Sequence, residues 1–329
     1  MKPLPAEASR FEGAAGVEQL PDGVRPRRLP LDLQPLIHPD LLGSSQIPCG
    51  VRLTTLSDTT QLAIDITAPV GEASVDVAVD GRRVETLPMP TAGRYQHTFA
   101  LASSGERRIE LYLPTYGSKT VLHSVTIDDQ ATARTWTDPR KRWIAHGSSI
   151  TACRRALSPM RAWPALVASH FDWHHTNLGF AGQCMIDPIV ARTIATMPAD
   201  YISLCLGINT HYGGFSPRTW LAAVTGFVLT VRDGHPTTPL VIMSPIICPK
   251  CETVADGTGL TVIDMRRELA GLVDTLRSRG DRHISYLDGL SIMSEADVPC
   301  MADLLHPDGG GIEVMGERMV AELRRLWFS

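Results

Sequence analysis

A serine stands where a short apolar run stops. Trp143-Ile144-Ala145-His146 leads straight into Gly147-Ser148-Ser149-Ile150-Thr151. The pattern reads as a buried strand ending in a tight turn, with a hydroxyl at the strand's carboxyl end. In open α/β sheets ligands bind at that edge. A serine there serves as a nucleophile or as a helix N-cap, and the local letters alone favour the cap. Three other stretches shift the balance. Asp303 and His306 stand three apart in Asp303-Leu304-Leu305-His306-Pro307, a spacing that turns both toward one side. The carboxylate can then hold one imidazole nitrogen while the other points outward, as the orienter and base of a hydrolytic triad do. The plain alternative is a loop histidine, with Asp303 capping the last helix. In Asn177-Leu178-Gly179-Phe180-Ala181-Gly182, Gly182 lets a backbone N–H approach a ligand oxygen, although Asn and Gly also suit an ordinary turn. Gly207-Ile208-Asn209 offers an amide that can donate to an oxyanion or simply bond its own backbone.

The elements that must carry these residues are legible. From residue 142 onward strands and helices alternate. Strands are expected at 142–146, 175–179, 201–206, 240–244 and 284–287, and helices at 163–171, 188–197, 217–232, 259–279 and 311–327. Apolar strands separated by helices specify a parallel sheet covered on both faces. The expected fold is a three-layer α/β/α, flavodoxin-like sheet over 136–329. Every stretch described above follows a strand or lies in the last loop, so all can meet at one edge. The chain before it is different. Gln61 to Ile66 and Ala73 to Val79 alternate in polarity, and Asp80-Gly81 after the second run is a hairpin signal. Further short strands at 84–87, 94–99, 107–113 and 120–127 make 31–135 an all-β sandwich or jelly roll. Residues 1–30 lack periodicity and read as an N-terminal arm, either packed on the body or mobile.

In order and spacing, Gly-Ser-Ser-Ile-Thr, Asn-x-Gly-x-x-Gly, Gly-x-Asn and Asp-x-x-His-Pro resemble the four blocks of the SGNH (GDSL-type) hydrolases, over about 140–329. The resemblance implies Ser149 as nucleophile, His306 as base and Asp303 as its partner. It implies an oxyanion hole from the Ser149 N–H, the Gly182 N–H and the Asn209 side chain. The β domain is similar to the N-terminal jelly roll of a minority of that family, carbohydrate esterases among them. Ser244-Pro245-Ile246 with Cys248-Pro249 and Glu252 also looks like that group. Two positions depart from the family pattern. Ser148 stands where the family's name has Asp, and Thr210 follows Asn209 where many members have Asp. The turn is not the Gly-x-Ser-x-Gly elbow of α/β-hydrolases, since Thr151 occupies the second glycine's place.

Composition narrows the rest. A net charge of −4 gives no basic excess for nucleic acid and no acidic tail. No apolar run approaches the roughly 20 residues that span a bilayer, and Met1 to Pro30 has no signal-peptide core, so a cytoplasmic protein is expected. Seven cysteines, an odd number, argue against a disulfide framework. Cys248-Pro249-Lys250-Cys251 lacks the second pair that a structural zinc site would need. Cys153 and Cys184 read as small pocket residues, and Thr210 to Phe215 as a substrate wall or lid, or as a plain connection. No metal or organic cofactor is implied.

The leading expectation is a serine esterase acting on a small-molecule carboxylic ester through an acyl-Ser149 intermediate. Acyl transfer with the same machinery is the first rival. The second is a non-catalytic binding protein with a hydrolase-like body. The β domain could bind carbohydrate, shape a pocket wall or mediate a homo-oligomer.

Overall fold

The computed structural model describes all residues except 103–104, 118, 256–258 and 329. Two antiparallel sheets form the first half. One orders its strands Gly16–Leu20, Gly23–Arg27, Val121–Ile127, Gln61–Ala68 and Gly93–Ala100. The other orders Ala133–Arg134, Arg52–Ser57, Arg107–Tyr112, Ala73–Val79 and Arg82–Met89. Their inward residues, among them Leu53, Leu62, Ile66, Val75, Val77 and Phe99, make one buried cluster. Asp80 and Gly81 turn the hairpin with φ of 50° and 78°. That is the left-handed pair a two-residue turn between twisted strands requires.

Residues 1–30 are not a free arm. Lys2–Pro3 pairs with Val121–Ile127 in the first sheet and Phe11–Glu12 with Arg52–Ser57 in the second, and 16–27 form a hairpin within the first. Two of these strands are two residues long and the hairpin is rich in charge, so no alternation marks them. Arg25 and Arg27 both pair with Glu18 instead. The next stretch leaves the sandwich. Leu29, Ile37 and Leu41, the last on helix α1 (Pro39–Ser45), are buried in the core of the second half.

That second half is built on five parallel strands: β1 (Arg142–Gly147), β2 (His174–Gly179), β3 (Tyr201–Cys205), β4 (Leu240–Met243) and β5 (Ile284–Leu287). Their order is β2-β1-β3-β4-β5. Apolar side chains leave both faces. Ile144, Ile202, Leu204, Leu240 and Ile242 face one cluster, and Trp143, Ala145, Val241 and Met243 the other. The remaining helices are α2 (Ser149–Ala152), α3 (Trp163–Phe171), α4 (Pro188–Thr196), α5 (Ile208–Tyr212), α6 (Pro217–Gly234), α7 (Val262–Ser278) and α8 (Gly309–Trp327). This is the expected α/β/α architecture. Caps set the helix ends that differ from the sequence reading. Thr261 and Asp264 form a reciprocal capping box, so α7 starts at Val262. The Asp308 carboxylate accepts from the Gly311 N–H, so α8 starts at Gly309.

Two buried arginines join the halves. Arg28 donates to the carbonyls of Ser44, Ile47, Asn177 and Gly179 and lies over the Phe180 ring. Arg52 pairs with Glu12 at 2.7 Å and donates to the His175 carbonyl.

Candidate active site

The turn after β1 is tight because two glycines allow it. A Cβ on Gly147 would meet the Thr151 hydroxyl at 2.2 Å, and one on Gly179 would meet the Ala152 nitrogen at 2.4 Å. Either would force α2 away from the sheet. Ser148 caps α2, its Oγ accepting from the Ile150 N–H at 3.2 Å. The two adjacent serines therefore divide the roles that the sequence left open. Ser148 takes the capping work that an aspartate also does well, and Ser149 leaves its hydroxyl to face the cavity. Asn177 welds the neighbouring strand to the turn. Its amide donates to the Thr151 carbonyl at 2.9 Å and its oxygen accepts from the Gly179 N–H at 2.8 Å.

The hydroxyl of Ser149 donates to Nε2 of His306 at 2.7 Å. Nδ1–H of His306 donates to Oδ2 of Asp303 at 2.9 Å. The other carboxylate oxygen accepts from the backbone N–H groups of Leu305 and His306, at 3.1 and 2.8 Å. Burial pulls the Asp303 pKa up, but the hydrogen bonds from His306 and Leu305 outweigh it and hold the pKa at about 2. The loop is fixed from both ends. Ala302 N–H donates to the His306 carbonyl, Met301 bridges Pro307, and Lys250 Nζ donates to the Asp303 carbonyl at 2.8 Å. Asp303 does not cap the last helix, since Asp308 does.

Gly182 has φ +71° and lines the same cavity as Ser149, Asn209 and His306. The Cys184 N–H donates to Oδ1 of Asn209 at 3.0 Å. The cavity measures about 310 Å³, the small end of the usual range for ligand pockets. Ile150, Ile208 and Leu305, each beside one of Ser149, Asn209 and His306, pack on Cys248, Cys251 and Val262. The three chemical groups thus share one apolar footing.

Some expectations need correction. Thr210 to Tyr212 continue helix α5, and none of Thr210 to Phe215 is among the described residues that line this cavity. His211 is buried against the Val254 carbonyl, and Tyr212 bonds the Cys251 thiol. Cys184 is buried behind the cavity with its thiol on His146, whereas Cys153 does line it. Four lining residues escaped the sequence reading: Tyr116, Arg154, Arg155 and Ile312. Tyr116 comes from the sandwich, and Arg154 lies over its ring at 3.9 Å. Arg154 had a signal, since it follows the serine turn at once. Tyr116 had none, because only the docking of the two halves brings it in.

A parallel α/β sheet with serine, imidazole and carboxylate in line at its carboxyl edge is the architecture of a serine hydrolase. A model of the GDSL-like lipase/acylhydrolase family matches residues 140–322. The chain belongs to that family. Residues 9–123 match the model of the SsfX3 N-terminal domain. No curated relative matches by sequence. Among solved structures, the chain is similar to the salicylyl-acyltransferase SsfX3 from a tetracycline biosynthetic pathway. The TM-score is 0.89 at 29% identity, over 97% of this chain and 94% of that one. It is also similar to a candidate GDSL-like lipase from Bacteroides ovatus (TM-score 0.77, 19% identity, 96% and 95% covered). A family two carbohydrate esterase from Clostridium thermocellum shares the fold (TM-score 0.68, 14% identity, 96% and 98% covered).

Proposed function

We propose that the protein is a serine esterase acting on a small-molecule carboxylic ester. The observation that carries this is the Ser149–His306–Asp303 line of hydrogen bonds opening into a cavity. His306 Nε2 takes the hydroxyl proton as Ser149 Oγ attacks the ester carbonyl carbon. Asp303 keeps the other ring proton on Nδ1 and stabilises the imidazolium. The developing oxyanion accepts from the Ser149 N–H, the Gly182 N–H and the Asn209 amide. On collapse, the alcohol leaves with the proton that His306 returns. Water then attacks acyl-Ser149 with His306 again as base, releasing the acid and restoring the hydroxyl.

The similarity to SsfX3 over nearly the whole chain favours a second reading, in which an alcohol or amine replaces water in the second half. Product analysis during turnover of short p-nitrophenyl esters, with and without added alcohols, separates the two. Free acid alone supports hydrolysis. A new ester formed faster than the acid assigns transfer. No turnover of any such ester argues against both. No described helix is long and apolar enough to cross a membrane. The seven cysteines are free thiols, which suits work in a reducing compartment such as the cytoplasm.

A further inference from the structure

The cavity carries more positive charge than the chemistry uses. Among the described residues its lining includes Arg154, Arg155 and a single carboxylate, Asp303. That carboxylate is committed to His306 at 2.9 Å, and Arg155 lies 3.6 Å from it. Arg155 is therefore set against a charge already present. Arg154 is not. Among the described residues it enters no ion pair and is held by the face of Tyr116, 3.9 Å from the ring centroid. Glu72 and Asp308 share a neighbouring groove with both arginines. Neither pairs with Arg154, and Asp308 spends one oxygen on the Gly311 N–H.

A guanidinium lying on an aromatic ring keeps its in-plane N–H donors at its edge. Those donors form the fork that matches a carboxylate. Tyr116 also fixes where the fork sits, and it is the one sandwich residue among the described lining residues. We propose that Arg154, seated on Tyr116, binds a carboxylate carried by the substrate, so that the preferred ester is anionic. This rests on Ser149 being the nucleophile of an ester-cleaving site. It also gives the β domain a part in selecting the substrate.

The test compares matched ester pairs by kcat/KM. Mono-p-nitrophenyl adipate against p-nitrophenyl hexanoate places the charge on the acyl side. 4-Acetoxybenzoate against 4-methylphenyl acetate places it on the alcohol side. In one pair the charged ester is preferred by about tenfold, the lower end of what a charge-assisted hydrogen bond gives. The preference falls as salt is added, because the arginine is exposed. Arg154→Gln removes the preference, and Arg154→Lys restores part of it. The salt series on the wild-type protein reads the same contact without any variant. Where turnover is too slow, protection of Ser149 by adipate against a fluorophosphonate gives the same comparison. A charged-to-neutral ratio near one in both pairs, a ratio indifferent to salt or to Arg154→Gln, or a failure of adipate to protect, overturns the inference. In those cases labelling of Ser149 still leaves the esterase reading standing. Absence of both labelling and turnover removes that reading and the inference together.

Discussion

The backbone N–H of Cys184 donates to Oδ1 of Asn209 at 3.0 Å. With that oxygen occupied, the amide NH₂ is the polar group that Asn209 has left for the cavity. A donor held in place before reaction stabilises charge without reorganising. Asn209→Ala is expected to lower kcat by about 10²–10³-fold with little change in KM. Steady-state kinetics on a p-nitrophenyl ester measure both. An effect confined to KM would remove Asn209 from the oxyanion hole.

Asp303 holds the histidine in two ways, through the ring and through the loop backbone. In Asp303→Asn the remaining carbonyl oxygen can still accept from the Leu305 and His306 N–H groups. The new NH₂, however, faces Nδ1 of His306 and drives the ring proton to Nε2. Ser149 then meets a donor where it needs a base. The expected result is a loss of roughly 10³-fold or more in kcat with the thermal midpoint nearly kept. A variant within tenfold of wild type would show that His306 does not depend on Asp303 for its tautomer.

His146 is buried behind the site. Its Nδ1–H donates to the Leu178 carbonyl at 2.8 Å, so its bare Nε2 accepts from the Cys184 thiol. Burial drives its pKa down to about 4, against the pull of the Leu178 carbonyl, with Arg28 lowering it further. The unfolded chain regains the ordinary value near 6.5 and so binds the proton first as pH falls. The stability from neutral His146 is complete above about pH 6.5 and drains away toward the folded pKa of about 4. By pH 5 the loss from this one group is about 2 kcal/mol. Urea unfolding at pH 7 and pH 5 should show a smaller difference for His146→Asn than for wild type. Equal differences would mean that His146 does not titrate in this way.

Arg28 has no exposed surface and spends its donors on four backbone carbonyls. Arg28→Met keeps much of the volume and leaves those oxygens without their donor. A loss of roughly 3 kcal/mol or more is expected, since each buried unsatisfied group costs 1–3 kcal/mol. The denaturant midpoint measures it. A loss under about 1 kcal/mol would mean that water takes over those bonds.

What the sequence made legible was local. The run from Trp143 to Ser149 announces strand and turn, Asp80-Gly81 announces a hairpin, and Asp303-x-x-His306 sits on one turn because the loop between them is short. What it concealed was relational. The strands at 2–3 and 11–12 are too short to show a period. Leu29, Ile37 and Leu41 lie between two sandwich strands, Gly23–Arg27 and Arg52–Ser57, but are buried in the other half. Tyr116 reaches the cavity only through the docking that Arg28 and Arg52 secure. Thr210 to Phe215 looked like a loop for its aromatics and glycines, but the Gly207 carbonyl accepts both the Thr210 hydroxyl and the His211 N–H, so Thr210 to Tyr212 stay helical.

Catalysis at this site requires that, of two adjacent serines, the second be the nucleophile. Treatment with a fluorophosphonate, followed by peptide mass mapping, tests it most directly. A single adduct on Ser149 is expected, lost in Ser149→Ala and retained in Ser148→Ala. An adduct on Ser148, or labelling undiminished in Ser149→Ala, would contradict it.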